Sequence, residues 1–191
     1  QSVMELLEKE LDEFQRFPTF LAARIANYTH REIGDGGPYD LCAAGRYWYW
    51  DAAFWSWRRQ GGMLLDQLNK VASMGASEDY TMGERYDMDY VYYVDGSPWH
   101  GAAHYYEYPC VYAWVLIAEY LGVRPTLAAD VRIAPMLIDA GTVTLNQSAY
   151  RLRYEYQQSY FALHNLGGGA RSFEFDLNAL YPGAKLTMRL S

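Results

Sequence analysis

A dense group of carboxylates in the middle of the chain is the first candidate for chemistry. Five acidic residues flank Arg85 between Ser77 and Tyr90, namely Glu78, Asp79, Glu84, Asp87 and Asp89. Glycoside hydrolysis needs two carboxyl groups beside the scissile bond, one protonated and one ionised. A neighbouring arginine and aromatic side chains can shift the pKa of a carboxyl group toward either role. The same pattern also fits a solvated acidic loop or a Ca²⁺-binding loop with oxygen ligands.

His100 and His104 form a second candidate group, because residues four apart share one face of a helix. A zinc protease motif would place a glutamate directly after the first histidine, and a third ligand would be needed. Neither is present in the sequence, so we predict no metal and no cofactor. A histidine that hydrogen-bonds a sugar, or a structural one, fits better. Cys42 and Cys110 lack the local context of a thiol protease.

The aromatic content is unusually high, at 17% of residues with 19 Tyr and 6 Trp. Many of these residues fall in the runs Tyr47–Trp50, Trp55–Trp57 and Tyr105–Tyr108. Tyr and Trp combine an apolar face with a polar edge, which suits stacking on sugar rings. Filling a core between helices is the alternative use of the same side chains. We predict Trp50 and Trp55 to contact a carbohydrate substrate.

Composition excludes several other classes of protein. A hydrophobic content of 51% is typical of a packed globular chain. The net charge of −7 argues against nucleic acid, which requires a basic surface. No apolar run is long enough to span a membrane. The two cysteines form no CxxC pair, so we expect neither a metal nor a disulfide framework, and the redox compartment stays open. The chain begins at Gln1 without a leader-like segment, and localisation stays unknown.

Apolar periodicity predicts helical hairpins up to about residue 122. Helices are expected at 2–17, 19–27, 47–59, 63–73 and 108–120. Gly61 and Gly62 are expected to end the third of these in a left-handed cap. Residues 76–103 lack periodicity and predict a long functional loop.

Beyond Pro125 the hydrophobic pattern changes to a period of two, which is typical of strands. Strands are expected at 131–133, 142–145, 151–156, 160–164, 172–177 and 185–190. Turns at Gly141, Gly167–Gly169 and Gly183 favour antiparallel connections. The sequence therefore predicts two domains: a helical domain at 1–125 and a small antiparallel β-sandwich at 126–191.

Four segments, in this order, resemble α-L-rhamnosidase-type glycoside hydrolases. Gly75-Ala76 followed by Thr81–Asp87 (TMGERYD) resembles the family's G-A-T-T-x-W-E-R-W-D motif, with Gly83 in place of the motif tryptophan. Ala103–Tyr105 resembles the segment that opens the last inner helix. Glu119–Pro125 (EYLGVRP) resembles the end of that helix, and Val131–Pro135 resembles the first strand of the C-terminal β-domain.

The resemblance implies an α + β multidomain chain: the C-terminal half of an (α/α)6 six-hairpin toroid, followed by a β-sandwich. In that family the motif glutamate is the general base of an inverting mechanism, so the resemblance assigns this role to Glu84. Arg85, Asp87, Trp99 and His104 would line the sugar site.

The family's general acid lies in the N-terminal half of the toroid, and this chain offers too few helices for a complete one. We therefore expect two partners: a carbohydrate substrate, and the missing half of the enzyme or a companion chain. Nucleic acid and membranes are not expected. Two alternatives stay open, a non-catalytic carbohydrate-binding protein and a polysaccharide lyase that uses a Tyr/His pair within residues 99–108.

Overall fold

The structure is a computed structural model that describes residues 22–24, 41–77, 79–80, 82, 85–87, 106–127, 129–138, 141–156 and 160–185. These residues form three α-helices and nine β-strands, so the chain is an α + β protein. They divide into two compact units. The first contains the described residues of Gln1–Phe54 and Leu65–Val115, and the second those of Trp55–Leu64 and Leu116–Ser191. The predicted domain boundary near residue 125 stays a prediction.

Three of the predicted helices are confirmed. They are α1 (Gly45–Trp57), α2 (Gly61–Ser77) and α3 (Glu107–Trp114), and a π-helical turn at Val115–Tyr120 continues α3. Along α2 the buried residues Leu64, Leu68 and Val71 recur every three or four positions, which places them on one face of the helix. Pro109 lies in the first turn of α3, where a missing backbone N–H costs no hydrogen bond.

The end of α1 differs from the prediction. The Arg59 N–H donates to the Ser56 carbonyl at 3.0 Å, and the Gln60 N–H donates to the Trp55 carbonyl at 2.9 Å. This is a Schellman motif, and Arg59 occupies its left-handed position with a φ of 57°. The prediction that Gly61 and Gly62 cap α1 is wrong, because both lie in the first turn of α2. Gly61 instead begins α2, and a Cβ there would lie 2.0 Å from the Met136 carbonyl oxygen.

The first unit contains an antiparallel three-stranded sheet with the order β1-β2-β3. Its strands are β1 (Ala22–Arg24), β2 (Leu41–Ala44) and β3 (Arg85–Asp87). The prediction of a helix at 19–27 is wrong at β1, and the predicted loop at 76–103 is wrong at β3 and at the end of α2. Strands this short are stabilised by pairing with distant segments, which local helix propensity does not report. The predicted helix at 2–17 lies outside the described residues.

The second unit contains two three-stranded sheets among its described residues, with the orders β4-β5-β9 and β6-β7-β8. The strands are β4 (Val123–Arg124), β5 (Val131–Ile133), β6 (Gly141–Asn146), β7 (Tyr150–Tyr156), β8 (Tyr160–Asn165) and β9 (Phe173–Phe175). The predicted strands between residues 131 and 175 are confirmed. Antiparallel pairing is wrong for β9, which pairs parallel to β5, as the intervening β6–β8 meander allows. Except for Lys185, the strand predicted at 185–190 lies outside the described residues.

One hydrophobic core joins residues from both sheets of the second unit. Along β7, Tyr150, Leu152 and Tyr154 are buried, whereas Arg151 and Arg153 are exposed, as the two-residue period of a strand requires. The buried side chains of β7 belong to the same core cluster as Ile133 of β5 and Val123 of β4. The core therefore packs strands β4, β5 and β7 against one another.

Gly122 connects the π-helical turn to β4 in a conformation that suits glycine. Its φ is +68°, and a Cβ there would lie 2.0 Å from the Ala134 carbonyl oxygen. The Ala134 N–H donates to the Gly122 carbonyl at 2.7 Å, and the Met136 N–H donates to the Tyr120 carbonyl at 2.9 Å. The helix end and the segment after β5 are therefore held in direct backbone contact at this glycine.

Candidate functional site

The residues predicted to carry catalysis fall mostly outside the described part of the chain. Glu84, Trp99 and His104 lie outside the described residues. Arg85 and Asp87 are the first and last residues of β3, where they pair with Ala44 and Cys42 of β2. The structure therefore brings Arg85 and Asp87 onto one edge strand, and the role of all five residues stays a prediction.

Three segments of the first unit meet where β3 begins. Arg85 pairs with Ala44, and the next residue, Gly45, begins α1. Gly45 is buried, and a Cβ on it would lie 2.8 Å from the Glu107 Cβ and 2.9 Å from the Tyr108 backbone nitrogen. The amino-terminal ends of α1 and α3 and the start of β3 therefore lie together. This close approach has no room for a side chain at position 45.

The two tryptophans predicted to bind sugar occupy different environments. Trp50 is 68% exposed, and its ring lies edge-on to Tyr49 with the centroids 5.3 Å apart. Tyr49 also contacts Trp114, with the ring centroids 5.8 Å apart. Trp55 is 6% exposed and belongs to the hydrophobic interior. Trp50 is thus the better placed of the two for stacking on a ligand, and no observation tests either role.

A buried polar network supports α1 in the first unit. The Trp48 indole Nε1–H donates to Gln67 Oε1 at 3.0 Å, and Gln67 Nε2 donates to Asp51 Oδ2. Trp48 and Gln67 are fully buried, and the Trp48 ring also packs against Tyr108 and Tyr112 of α3. The Gln67 side chain of α2 therefore accepts a hydrogen bond from Trp48 and donates one to Asp51, both on α1. Such pairing stabilises the fold, because burying a polar group without a partner costs free energy.

Replacing Gln67 with leucine is expected to lower the free energy of unfolding by about 3 kcal/mol, because the Trp48 N–H and the Asp51 carboxylate both lose a partner. Urea unfolding followed by tryptophan fluorescence measures the change. Asn69→Leu is the matched control, since Asn69 is an exposed amide on the same helix. Equal stability of the two variants would contradict the role assigned to Gln67.

The second unit contains a pocket of about 480 Å³ that the sequence does not predict. Its lining includes four arginines and one carboxylate, namely Arg58, Arg59, Arg124, Arg132 and Asp176. Trp57, Ala134 and Met136 contribute apolar surface to the same pocket. The arginines come from the turn after α1, from β4 and from β5, and Asp176 follows β9.

Asp176 holds two of these arginines. The Arg59 Nη2 donates to Asp176 Oδ2 at 2.9 Å, and the Arg132 Nη2 lies 3.8 Å from the same oxygen. The Arg132 Nε lies 3.4 Å from Glu174 Oε1 but is buried without a hydrogen-bond partner among the described residues. A buried guanidinium N–H without a partner is unusual, since such donors are almost always satisfied.

Arg124 is held by Glu119, whose side chain is 1% exposed. The Arg124 Nη1 lies 3.0 Å from Glu119 Oε1 and 3.3 Å from Glu119 Oε2. Both residues belong to the EYLGVRP segment, so the ion pair joins the π-helical turn to β4. The pair fixes the position of the Arg124 guanidinium at the pocket wall.

The pKa of Asp176 lies below its usual value. Burial by itself raises it, but hydrogen bonds from the Asn178 backbone and side-chain amides and the charge of Arg59 outweigh burial. Stabilisation by the Asp176 carboxylate is therefore present above the unfolded-state pKa near 3.8 and is lost as the pH falls through the lower pKa of the folded state.

Asp176→Asn is expected to reduce stability by about 1 kcal/mol at pH 7, because the carboxylate interacts mainly with partly exposed groups. The difference from the parent protein should become smaller as the pH falls below 3.8, because the carboxylate then becomes protonated in the folded state as well. Thermal unfolding of both proteins across this pH range measures the effect. A stability difference that does not change with pH would contradict the assignment.

The arginine pocket could not be found from sequence spacing. Arg58 and Arg59 are adjacent, but Arg124 and Arg132 are far from them in the chain and from Asp176. The Arg58–Arg59 doublet after α1 is the one local signal, and surface arginine pairs are common. Arg124, Arg132 and Asp176 come together only because strands β4, β5 and β9 pair in one sheet.

The described residues contain neither a metal-binding cluster nor a helix that could span a membrane. Within those ranges, no three His, Cys, Asp or Glu side chains lie close enough together to hold a metal ion. His100 and His104 lie outside the ranges. None of the helices in the described part of the chain is both long and apolar enough to cross a membrane.

The chain is similar to one curated plant protein over about a third of its length. It is 30% identical over 69 residues to a probable alpha,alpha-trehalose-phosphate synthase (UDP-forming) from Arabidopsis thaliana, which covers 33% of this chain and 8% of that protein. No family model and no solved structure matches the chain. Because the chain spans less than a tenth of that relative's length, the match establishes neither a family nor an activity.

Proposed function

We propose that this chain is the C-terminal portion of a glycoside hydrolase that cleaves a glycosidic bond with inversion, with an α-L-rhamnoside as the first candidate substrate. The convergence of segments beside Gly45 carries the proposal. Glu84 directly precedes Arg85, whose partner Ala44 adjoins Gly45, and His104 is three residues before Glu107, which approaches Gly45. Chain connectivity therefore favours a common site for the two motifs that resemble the rhamnosidase-type pattern.

In this proposal Glu84 removes a proton from the attacking water. A positive charge near the Glu84 carboxylate, for which the next residue Arg85 is a candidate, would keep it ionised as a general base requires. The general acid would come from the missing N-terminal half or a companion chain. In inverting enzymes the two carboxyl groups lie about 6.5–9.5 Å apart, which leaves room for the water.

The proposed architecture is half of an (α/α)6 toroid followed by a β-sandwich. Its support is the order of elements: the three helices α1, α2 and α3 precede residue 121, together with the short sheet β1-β2-β3, and strands β4 to β9 follow. In the second unit, the shared core beneath sheets β4-β5-β9 and β6-β7-β8 agrees with a sandwich. The Arabidopsis relative is named as a synthase of trehalose phosphate, which supports a carbohydrate ligand in general and no particular reaction.

The test is an assay of the complete protein that carries this segment. A panel of 4-nitrophenyl glycosides that includes the α-L-rhamnopyranoside identifies the sugar, and proton NMR of the first product identifies its anomeric form. We expect hydrolysis with inversion. Release of an unsaturated uronide from a polysaccharide would instead indicate a lyase that uses a Tyr/His pair, and cleavage of no glycoside or polysaccharide would contradict an enzymatic role.

A non-catalytic carbohydrate-binding protein is the second candidate, and the exposed aromatic group of Trp50, Tyr49 and Trp114 favours it. Trp50 and Trp114 are 68% and 39% exposed, and both rings contact Tyr49. Stacking on such rings gives affinity without catalytic groups. Binding of an oligosaccharide that is lost in Trp50→Ala, together with absence of turnover, would select this candidate.

A further inference from the structure

We propose that the arginine-lined pocket of the second unit binds a small organic molecule through its phosphate monoester. The proposal rests on residues of the second unit alone and does not depend on the proposed hydrolase function. The pocket presents four guanidinium groups and one carboxylate. Its volume of about 480 Å³ falls within the range of small-molecule sites. The lining therefore contains more cationic than anionic side chains, in a protein whose net charge is −7.

Donors for a phosphate are available because the described ion pairs use only part of the Arg59, Arg124 and Arg132 guanidinium groups. A guanidinium has five N–H donors. The described hydrogen bonds of Arg124 use Nη1 alone, and the side-chain hydrogen bond of Arg59 uses Nη2 alone. Arg132 approaches Glu174 through Nε and Asp176 through Nη2, and the described ion pairs do not involve its Nη1. The existing carboxylates therefore orient these side chains without using all of their donors.

The backbone at Arg59 gives independent support. Arg59 occupies the left-handed position of the Schellman motif, where glycine is the residue usually found. A side chain in this conformation costs about 1–2 kcal/mol of backbone free energy. Strain of this kind is typical of positions where the side chain has a role. At Arg59 the side chain reaches Asp176 and the pocket.

The arrangement favours a phosphate over a carboxylate. The guanidinium groups come from the turn after α1, from β4 and from β5, so donors reach the pocket from three segments. A phosphate monoester presents three acceptor oxygens and a charge of about −1.5 to −2, whereas a carboxylate presents two oxygens and a single charge. The organic part of the ligand would contact Trp57 and Met136, which supply apolar lining.

Calorimetric titration of the complete protein with glucose 6-phosphate tests the proposal, with glucose, glucuronate and inorganic phosphate as comparison ligands. We expect glucose 6-phosphate to bind most tightly and glucose not to bind. Arg59→Gln is expected to weaken glucose 6-phosphate binding about tenfold, because a charged hydrogen bond is lost.

Arg153→Gln is the matched control. Arg59 and Arg153 are 51% and 52% exposed, and their carboxylate partners lie 2.9 Å and 2.8 Å away, but Arg153 does not line the pocket. Arg59→Gly, which relieves the left-handed strain, should keep the fold by circular dichroism and lose affinity as well. Equal affinity of the Arg59 and Arg153 variants would overturn the proposal. So would glucuronate or inorganic phosphate binding as tightly as glucose 6-phosphate, or no binding of any probe.

Discussion

In the proposed glycoside hydrolase, replacing Glu84 with glutamine is expected to reduce kcat about 10²- to 10⁴-fold while leaving KM nearly unchanged. The amide preserves size and hydrogen bonding but cannot accept a proton from water, so the loss affects the transition state and not substrate binding. The acidic limb of the pH–rate profile, which reports ionisation of the base, should also disappear. Steady-state kinetics on the best glycoside of the panel measures both effects.

Asp66→Asn is the control for this experiment. Asp66 lies on α2, and its carboxylate is 46% exposed and paired with Lys70 at i,i+4. The same chemical change there should leave kcat at the parent value, because exposed ion pairs contribute little. Unchanged turnover in Glu84→Gln would exclude Glu84 as the base. A parallel loss in Asp66→Asn would show that the assay reports stability.

The second large effect is expected for Gly122→Ala, which should lower the free energy of unfolding by about 3 kcal/mol. Two costs add at this position. A φ of +68° disfavours any residue with a Cβ, and that Cβ would lie 2.0 Å from the Ala134 carbonyl oxygen. The hydrogen bond from the Ala134 N–H to the Gly122 carbonyl would have to lengthen or break to relieve the clash. Urea unfolding monitored by circular dichroism measures the loss.

Gly168→Ala separates this local geometry from a general effect of glycine replacement. A Cβ at Gly168 would meet no atom within 4 Å, and the residue has no positive φ. Its replacement should be neutral or slightly stabilising, since alanine reduces the conformational freedom of the unfolded chain. If Gly122→Ala were as stable as Gly168→Ala, the tight contact at Gly122 would be refuted.

Elements stabilised by local pattern could be predicted from the sequence, and elements that depend on distant partners could not. The helices α1, α2 and α3 and the strands of the β6–β8 meander follow from residue periodicity. The strands β1 to β4 have two to four residues each, too few for a periodic signal. Their existence rests on pairing partners that lie elsewhere in the chain.

The candidate sites show the same contrast between local and long-range information. The acidic segment around Glu84 could be singled out because its residues are consecutive. The arginine pocket could not, because Arg59, Arg124 and Arg132 come together through strand pairing and a helix end. Conversely, the left-handed Arg59 contradicts the expectation that a glycine ends α1, since the Schellman position follows from where the helix stops and not from the nearest glycine.

The parallel pairing of β5 with β9 has a consequence for the order of folding. During synthesis β5 leaves the ribosome before the β6–β8 meander and β9 leaves after it. The meander pairs neighbouring strands and can form early, whereas joining β5 to β9 must close a loop of about forty residues. Asp176 directly follows β9, and its N–H donates to the Ile133 carbonyl at 2.9 Å. The arginine pocket is therefore expected to be completed late, when β9 docks, so a bound phosphate compound should slow unfolding without accelerating folding.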